Sequence, residues 1–184
     1  MDSLPKTKFT VDEFLAWVEE FPGRYELEDG QVYGMAPQRL GHATTKFKVQ
    51  AALLTAIRKA GLPCHMVPDG ATVRISQTSA YEPDALVYCG QERPADDLEV
   101  PDPVIVVEVL SPGSRYLDSG AKLGGYFQVP SVAHYLIVDT PKRLVIHHAR
   151  DGSGTIATRV VSEGTVQLNP PGLTLPIEAC FSFV

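Results

Sequence analysis

Val104-Ile105-Val106-Val107-Glu108-Val109-Leu110 is the stretch on which the fold turns. A half-buried strand alternates apolar and polar residues. Here both alternating sets are apolar apart from Glu108, which reads as a central strand covered on both faces. The rest of the chain must then supply two covering layers. Glu108 is the anomaly: an ionised carboxylate in such surroundings is costly unless a cation or strong donors compensate it.

Downstream, Ser111-Pro112-Gly113-Ser114 turns into a helix expected over residues 116–128 and ended by Pro130. Residues 135–139 and 144–148 then form a hairpin around Thr140-Pro141-Lys142-Arg143, before a β-like, turn-rich tail. Upstream, short strands are expected over 64–67, 71–75 and 84–88. Before them, residues 40–60 lack Pro and contain Gly only at Gly41, which predicts the longest helix, closed by Gly61 as its left-handed cap. Its core stripe is expected at Phe47, Ala51 and Leu54, widened by Val49, Leu53, Ile57 and Ala60. Asp29-Gly30 between two alternating stretches signals a hairpin. Thr10 and Glu13 have capping-box spacing and open a first helix that ends at Pro22-Gly23. The order of elements predicts a mixed α/β or α+β layer fold, a single domain over residues 1–184.

Composition fits that expectation. The chain has 184 residues, 44% hydrophobic and 21% charged, enough for a core without staples. Its 16 Lys and Arg against 22 Asp and Glu give a net charge of −6, which argues against coating nucleic acid by charge alone. Cys64, Cys89 and Cys180 are far apart and form no CxxC, so neither a disulfide framework nor a thiolate zinc site is expected. With no secretory signal and no stretch long enough to span a bilayer, a soluble cytoplasmic protein without membrane partners is expected.

The chemistry-bearing feature is a pair of carboxylates in apolar strands. Glu82-Pro83-Asp84 leads into Ala85-Leu86-Val87-Tyr88, and Glu108 lies in the central strand. Two carboxylates on neighbouring strands can hold Mg²⁺, which takes one or two carboxylates plus water and phosphate oxygens. The competing explanation is a buried ion pair of Glu108 with Lys122 or Arg115. His147 and His148 are adjacent in a strand, point to opposite faces and cannot share a metal. His65 and His134 are solitary and read as structural. The 111–114 turn lacks the spacing of a P-loop, so no nucleotide cofactor is expected.

Tyr25-Glu26-Leu27-Glu28-Asp29-Gly30, His42, Pro83-Asp84, Glu108-Val109-Leu110-Ser111-Pro112, Asp118, Lys122, Tyr126 and the strand at 135–139 follow one another at characteristic intervals. In this the chain resembles the "Uma two" family of restriction endonucleases, a branch of the PD-(D/E)xK phosphodiesterase superfamily. The resemblance runs from about Phe9 to Asp139, and more loosely beyond. It implies a restriction-endonuclease-like three-layer core, a mixed central sheet flanked by helices, and Mg²⁺-dependent hydrolysis of DNA phosphodiesters, with Mn²⁺ able to substitute. Asp84 and Glu108 would be the metal ligands and Glu26 a third acidic member. His42 and Ser111 would contact substrate. The superfamily's lysine two residues after the second acid is replaced here by Leu110, and Lys122 would be its relocated substitute. Lys122 also stands four residues after Asp118, the spacing of a plain surface pair. Gly124-Gly125 weakens that helix. A homodimer is expected by analogy with enzymes that cut two strands. A non-catalytic scaffold is the rival reading, favoured by the acidic balance. A positive strip fed by Lys46, Lys48, Arg74, Arg115 and Lys122 would instead favour the nuclease.

Overall fold

The computed structural model describes residues 7–21, 23–110 and 116–182, with the backbone alone for 116–119. In chain order the elements are α1 (Val11–Glu20), β1 (Tyr25–Glu28), β2 (Gln31–Gly34), α2 (Leu40–Ala60), β3 (Cys64–Pro68), β4 (Val73–Arg74), β5 (Ala80–Tyr81), β6 (Ala85–Cys89) and β7 (Ile105–Leu110). They continue with α3 (Tyr116–Tyr126), β8 (His134–Asp139), β9 (Leu144–Arg150), β10 (Ile156–Val161), β11 (Thr165–Leu168), β12 (Leu173–Pro176) and a 3-10 turn at Glu178–Cys180.

The main sheet runs β10-β9-β8-β7-β6-β3. β7 and β8 are parallel and the other neighbours antiparallel, so the sheet is mixed and β7 is interior, as its two apolar faces require. On one face Ile105, Val107 and Val109 pack with Val49, Leu53 and Ile57 of α2 and with Leu168, Leu173 and Leu175 of the β11–β12 hairpin. On the other, Val106 and Leu110 pack with Tyr126 of α3, Tyr135 and Ile137. The fold is therefore mixed α+β, with layers on both sides of a central sheet. A second sheet, ordered β2-β1-β5-β4, carries α1, whose Val11 and Phe14 bury against Leu27, Val32 and Ala80. Thr10 and Glu13 form the full capping box. Asp29 and Gly30 both take positive φ (49° and 79°), the turn that suits a two-residue hairpin.

Several expectations are corrected. The face of α2 turned to the sheet is Lys46, Val49, Ala52, Leu53, Ala56 and Ile57, whereas Phe47 is 60% exposed. The helix carries two apolar faces, and the one mixing small and large side chains packs closely. The strand expected over 71–75 is confined to Val73–Arg74, because the N–H groups of Ile75 and Ser76 both turn to the Ser79 carbonyl. Cys64 and Cys89 form a disulfide, contrary to the cysteine reading. Antiparallel pairing of β3 and β6 places them directly opposite, a proximity their 25-residue separation does not reveal. His134 is not solitary, since its Nδ1 lies 2.9 Å from His147 Nε2. His148 turns the other way, to Thr158, as the alternation of a strand requires. Gly125 has a packing reason: a Cβ there would lie 2.6 Å from the Tyr81 ring. Among the described residues, no helix is long and apolar enough to cross a membrane.

Candidate functional site

Antiparallel pairing of Ala85 with Val107 brings Asp84, one residue before β6, beside the segment that holds Glu108. The Val109 N–H donates to Asp84 Oδ2 at 2.7 Å, which fixes that carboxylate against β7. Glu108 lies on the same face as Val106 and Leu110, beneath α3. Its Oε1 accepts from the Tyr126 hydroxyl at 2.8 Å and from Lys122 Nζ at 2.8 Å. The same ammonium donates to Glu26 Oε1 of β1 at 2.7 Å. Lys122 thus bridges two carboxylates from different sheets. Of the explanations foreseen for Glu108, the ion pair with Lys122 is present, and Glu26 shares the same ammonium.

The cluster extends through α2. Lys46 Nζ reaches Asp84 Oδ1 at 2.9 Å and Asp69 Oδ2 at 2.6 Å. Arg24 Nη1 meets Asp69 Oδ2 at 3.0 Å, and its Nε donates to Glu82 Oε1 at 2.7 Å. The Glu82 N–H returns to Glu26 Oε1 at 3.0 Å. Charges therefore alternate from Glu82 through Arg24, Asp69 and Lys46 to Asp84, while Lys122 separately joins Glu26 and Glu108, and the Glu82 N–H links the two groups. His42, in the first turn of α2, places Nε2 3.7 Å from Asp84 Oδ2. Its Nδ1 is buried without a partner.

The electrostatics follow from this crowding. Burial, with the charges of Asp84 and Glu26 adding to it, pushes Glu108 up to about 7 against the pull of Lys122. Burial alone would lower the Lys122 ammonium, but Glu108 and Glu26 outweigh it and raise its pKa above lysine's ordinary value. Burial would raise Asp84, but His42, Lys46 and the Val109 N–H hold it below the usual carboxylate range. The two acids are thus split, one firmly ionised and one titrating near neutrality. Such separation is what acid–base chemistry at neutral pH uses.

Asp84, Glu108, Lys122, Glu26 and His42, singled out in the sequence, come together; Ser111 lies outside the described residues, as do Arg115 and the side chain of Asp118. Of the basic residues whose strip would favour the nuclease, those described have acceptors within the protein, Lys122 with Glu26 and Glu108. Lys46 is buried, Arg74 is tied to Asp12 and Glu99, and Lys48 donates to the Phe181 carbonyl. Asp69 and Arg24 were not foreseen. The place of Lys46 had one available signal: it follows His42 by four residues and so shares its helix face. Among the described residues, no group of three or more His, Cys, Asp or Glu is arranged to hold a metal ion. Two hard carboxylate donors remain a fit for Mg²⁺, which completes its shell with water and phosphate oxygens.

A family model described as "Putative restriction endonuclease" (Uma2) matches residues 11–178. Uncharacterized protein slr1290 of Synechocystis sp. is 26% identical over 181 residues, covering 97% of this chain and 94% of that one. Uncharacterized protein sll1609 of the same organism is 24% identical over 145 residues, covering 78% and 81%. Among solved structures, a crystal structure described as "a putative nuclease belonging to DUF820" from Anabaena variabilis superposes with a TM-score of 0.73 at 16% identity. It covers 94% of this chain and 97% of that one, a likeness of fold.

Proposed function

The chain belongs to the Uma2 family, whose model is described as "Putative restriction endonuclease", and we propose that it is a Mg²⁺-dependent endonuclease that hydrolyses DNA phosphodiester bonds. In this reading Asp84 and Glu108 hold the metal. Lys122 stabilises negative charge building on the scissile phosphate. Glu26 holds Lys122 in place, and His42, whose Nε2 lies 3.7 Å from Asp84 Oδ2, serves as a water or phosphate contact beside that carboxylate. The observation that carries the reading is the convergence of Asp84, Glu108, Glu26 and Lys122 from separate elements, with Asp84 fixed by the Val109 N–H and Lys122 shared by the two glutamates. It restores, from a helix, the acid–lysine neighbourhood that Leu110 removes from the strand. The charge of the cluster supports the metal alone, because an acidic surround favours the non-catalytic reading where DNA is concerned. Lys122, Arg24 and Lys46 face the five carboxylates Glu108, Glu26, Glu82, Asp69 and Asp84, so the cluster with all its groups ionised carries an excess of two negative charges.

A bound Mg²⁺ supplies an activated water and polarises the phosphoryl group. Glu108, whose proton is held up to about 7 in the metal-free site, would have to give it up to ligate the metal. Two copies acting together suit a substrate with two strands. The test is cleavage of supercoiled, linear and single-stranded DNA with Mg²⁺ or Mn²⁺. Cleavage by the wild-type protein and its loss in Asp84→Asn are expected. Absence of cleavage of every substrate with either metal overturns the reading in favour of a non-catalytic module, whose acids are neutralised by their own lysines.

A further inference from the structure

Lys46 is the buried cation of the cluster, 3% exposed, and the metal reading gives it no task. Its ammonium contacts two carboxylates at once, Asp84 at 2.9 Å and Asp69 at 2.6 Å. Asp84 does not need Lys46 for its aim. The Val109 N–H fixes Oδ2, and Gln50, one turn further along α2, donates to the Asp84 carbonyl at 2.9 Å. What Lys46 adds is charge. An ammonium bonded to a carboxylate repels any cation approaching the same carboxylate, and in a buried setting this repulsion is little screened. A lysine retained only to neutralise Asp84 would need no second acid. Here Asp69, at the turn after β3, is the shorter contact and the more exposed carboxylate, and Arg24 holds it from the other side.

We propose that Lys46 is a positioning residue that acts as an internal counter-ion for the carboxylate pair. It neutralises Asp84 when no divalent cation is present and shifts onto Asp69 when one binds. Lys46 thereby sets the metal affinity of the site, and Asp69 sets how readily Lys46 gives way. This rests on the metal reading above.

The experiment is calorimetric titration of the full chain with Mn²⁺, for the wild-type protein, Lys46→Met, Asp69→Asn and the double variant, each checked for folding by urea denaturation. The expected results have opposite signs. Lys46→Met binds Mn²⁺ at least tenfold more tightly, with Asp84 still fixed by Val109, and Asp69→Asn binds severalfold more weakly. In the Lys46→Met background the Asp69→Asn change has no further effect, because its influence passes through the ammonium. Unchanged or weaker binding in Lys46→Met overturns the proposal and leaves the metal reading standing. An Asp69→Asn effect that persists without Lys46 overturns it too, since Asp69 would then act through its own charge. If Lys46→Met does not fold, Asp69→Asn, at a partly exposed position, decides: affinity equal to wild type overturns the proposal. No binding by the wild-type protein removes the metal reading, and this inference with it.

Discussion

Glu26 and Glu108 are held by one ammonium: Lys122 Nζ lies 2.7 Å from the first carboxylate and 2.8 Å from the second. A shared cation makes each acid's behaviour depend on the other. It also means that removing one acid does not strand the lysine.

Glu108→Gln should therefore be tolerated, because Lys122 keeps Glu26. The substitution should also change how stability responds to pH. Glu108 binds its proton more tightly in the folded protein, at about 7, than at the ordinary 4.5. Wild-type stability is then highest below about 4.5 from this group and falls as pH rises through 7, by on the order of 1–3 kcal/mol. Urea unfolding with EDTA at pH 5 and pH 8 should show the fall in the wild type and its loss in Glu108→Gln. An identical pH dependence in the two proteins would remove Glu108 as its source.

Lys122→Ala leaves Glu26 and Glu108 close together without their cation. Turnover on DNA should fall by about 10²-fold or more, the scale of losing one electrostatic stabiliser. Stability should fall as well, by roughly 3 kcal/mol at most, the low end for breaking a buried pair because these side chains keep some solvent contact. Single-turnover cleavage separates the two effects, and a rate within twofold of wild type would exclude the catalytic role.

Adjacent glycines in α3 should respond oppositely to alanine. Gly124 is exposed with nothing within 4 Å of its missing Cβ, so Gly124→Ala should gain up to about 1 kcal/mol from helix propensity. At Gly125 the Cβ would lie 2.6 Å from the Tyr81 ring, so Gly125→Ala should lose about 1–3 kcal/mol through overpacking. Denaturant midpoints of the two variants check the sign directly.

The Cys64–Cys89 bridge closes a loop with a separation of 25 residues. Reduction should lower stability by about 3 kcal/mol on the chain-entropy account. Unfolding with and without dithiothreitol measures this, and Cys64→Ser should abolish the difference.

The sequence is most readable where burial is written along one element. The apolar run around Glu108 identifies the central strand because both its faces are covered, and Asp29-Gly30 identifies its hairpin because two positive φ angles demand such residues. Phe47, Ala51 and Leu54 mislead, since α2 is apolar on more than one side and only the sheet selects between them. The disulfide and the Lys46–Asp69 contact are invisible for a common reason: each joins positions that only strand register or helix placement brings together. Among the acids, Asp84 and Glu108 stand out by their apolar neighbours, whereas Asp69 lies in a turn, where an aspartate needs no explanation.

β7 and β8 are the parallel neighbours of the main sheet, and parallel strands cannot be joined by a tight turn. The chain leaving Leu110 must travel back over the sheet before β8 begins, and α3 lies on that return path. A lysine there is delivered above the strand that carries Glu108 by the connection itself, not by anything special in the helix. On the proposed reading, strand and return helix would be two mounting points for one functional group, and such an exchange would leave the hydrogen bonding of the sheet untouched.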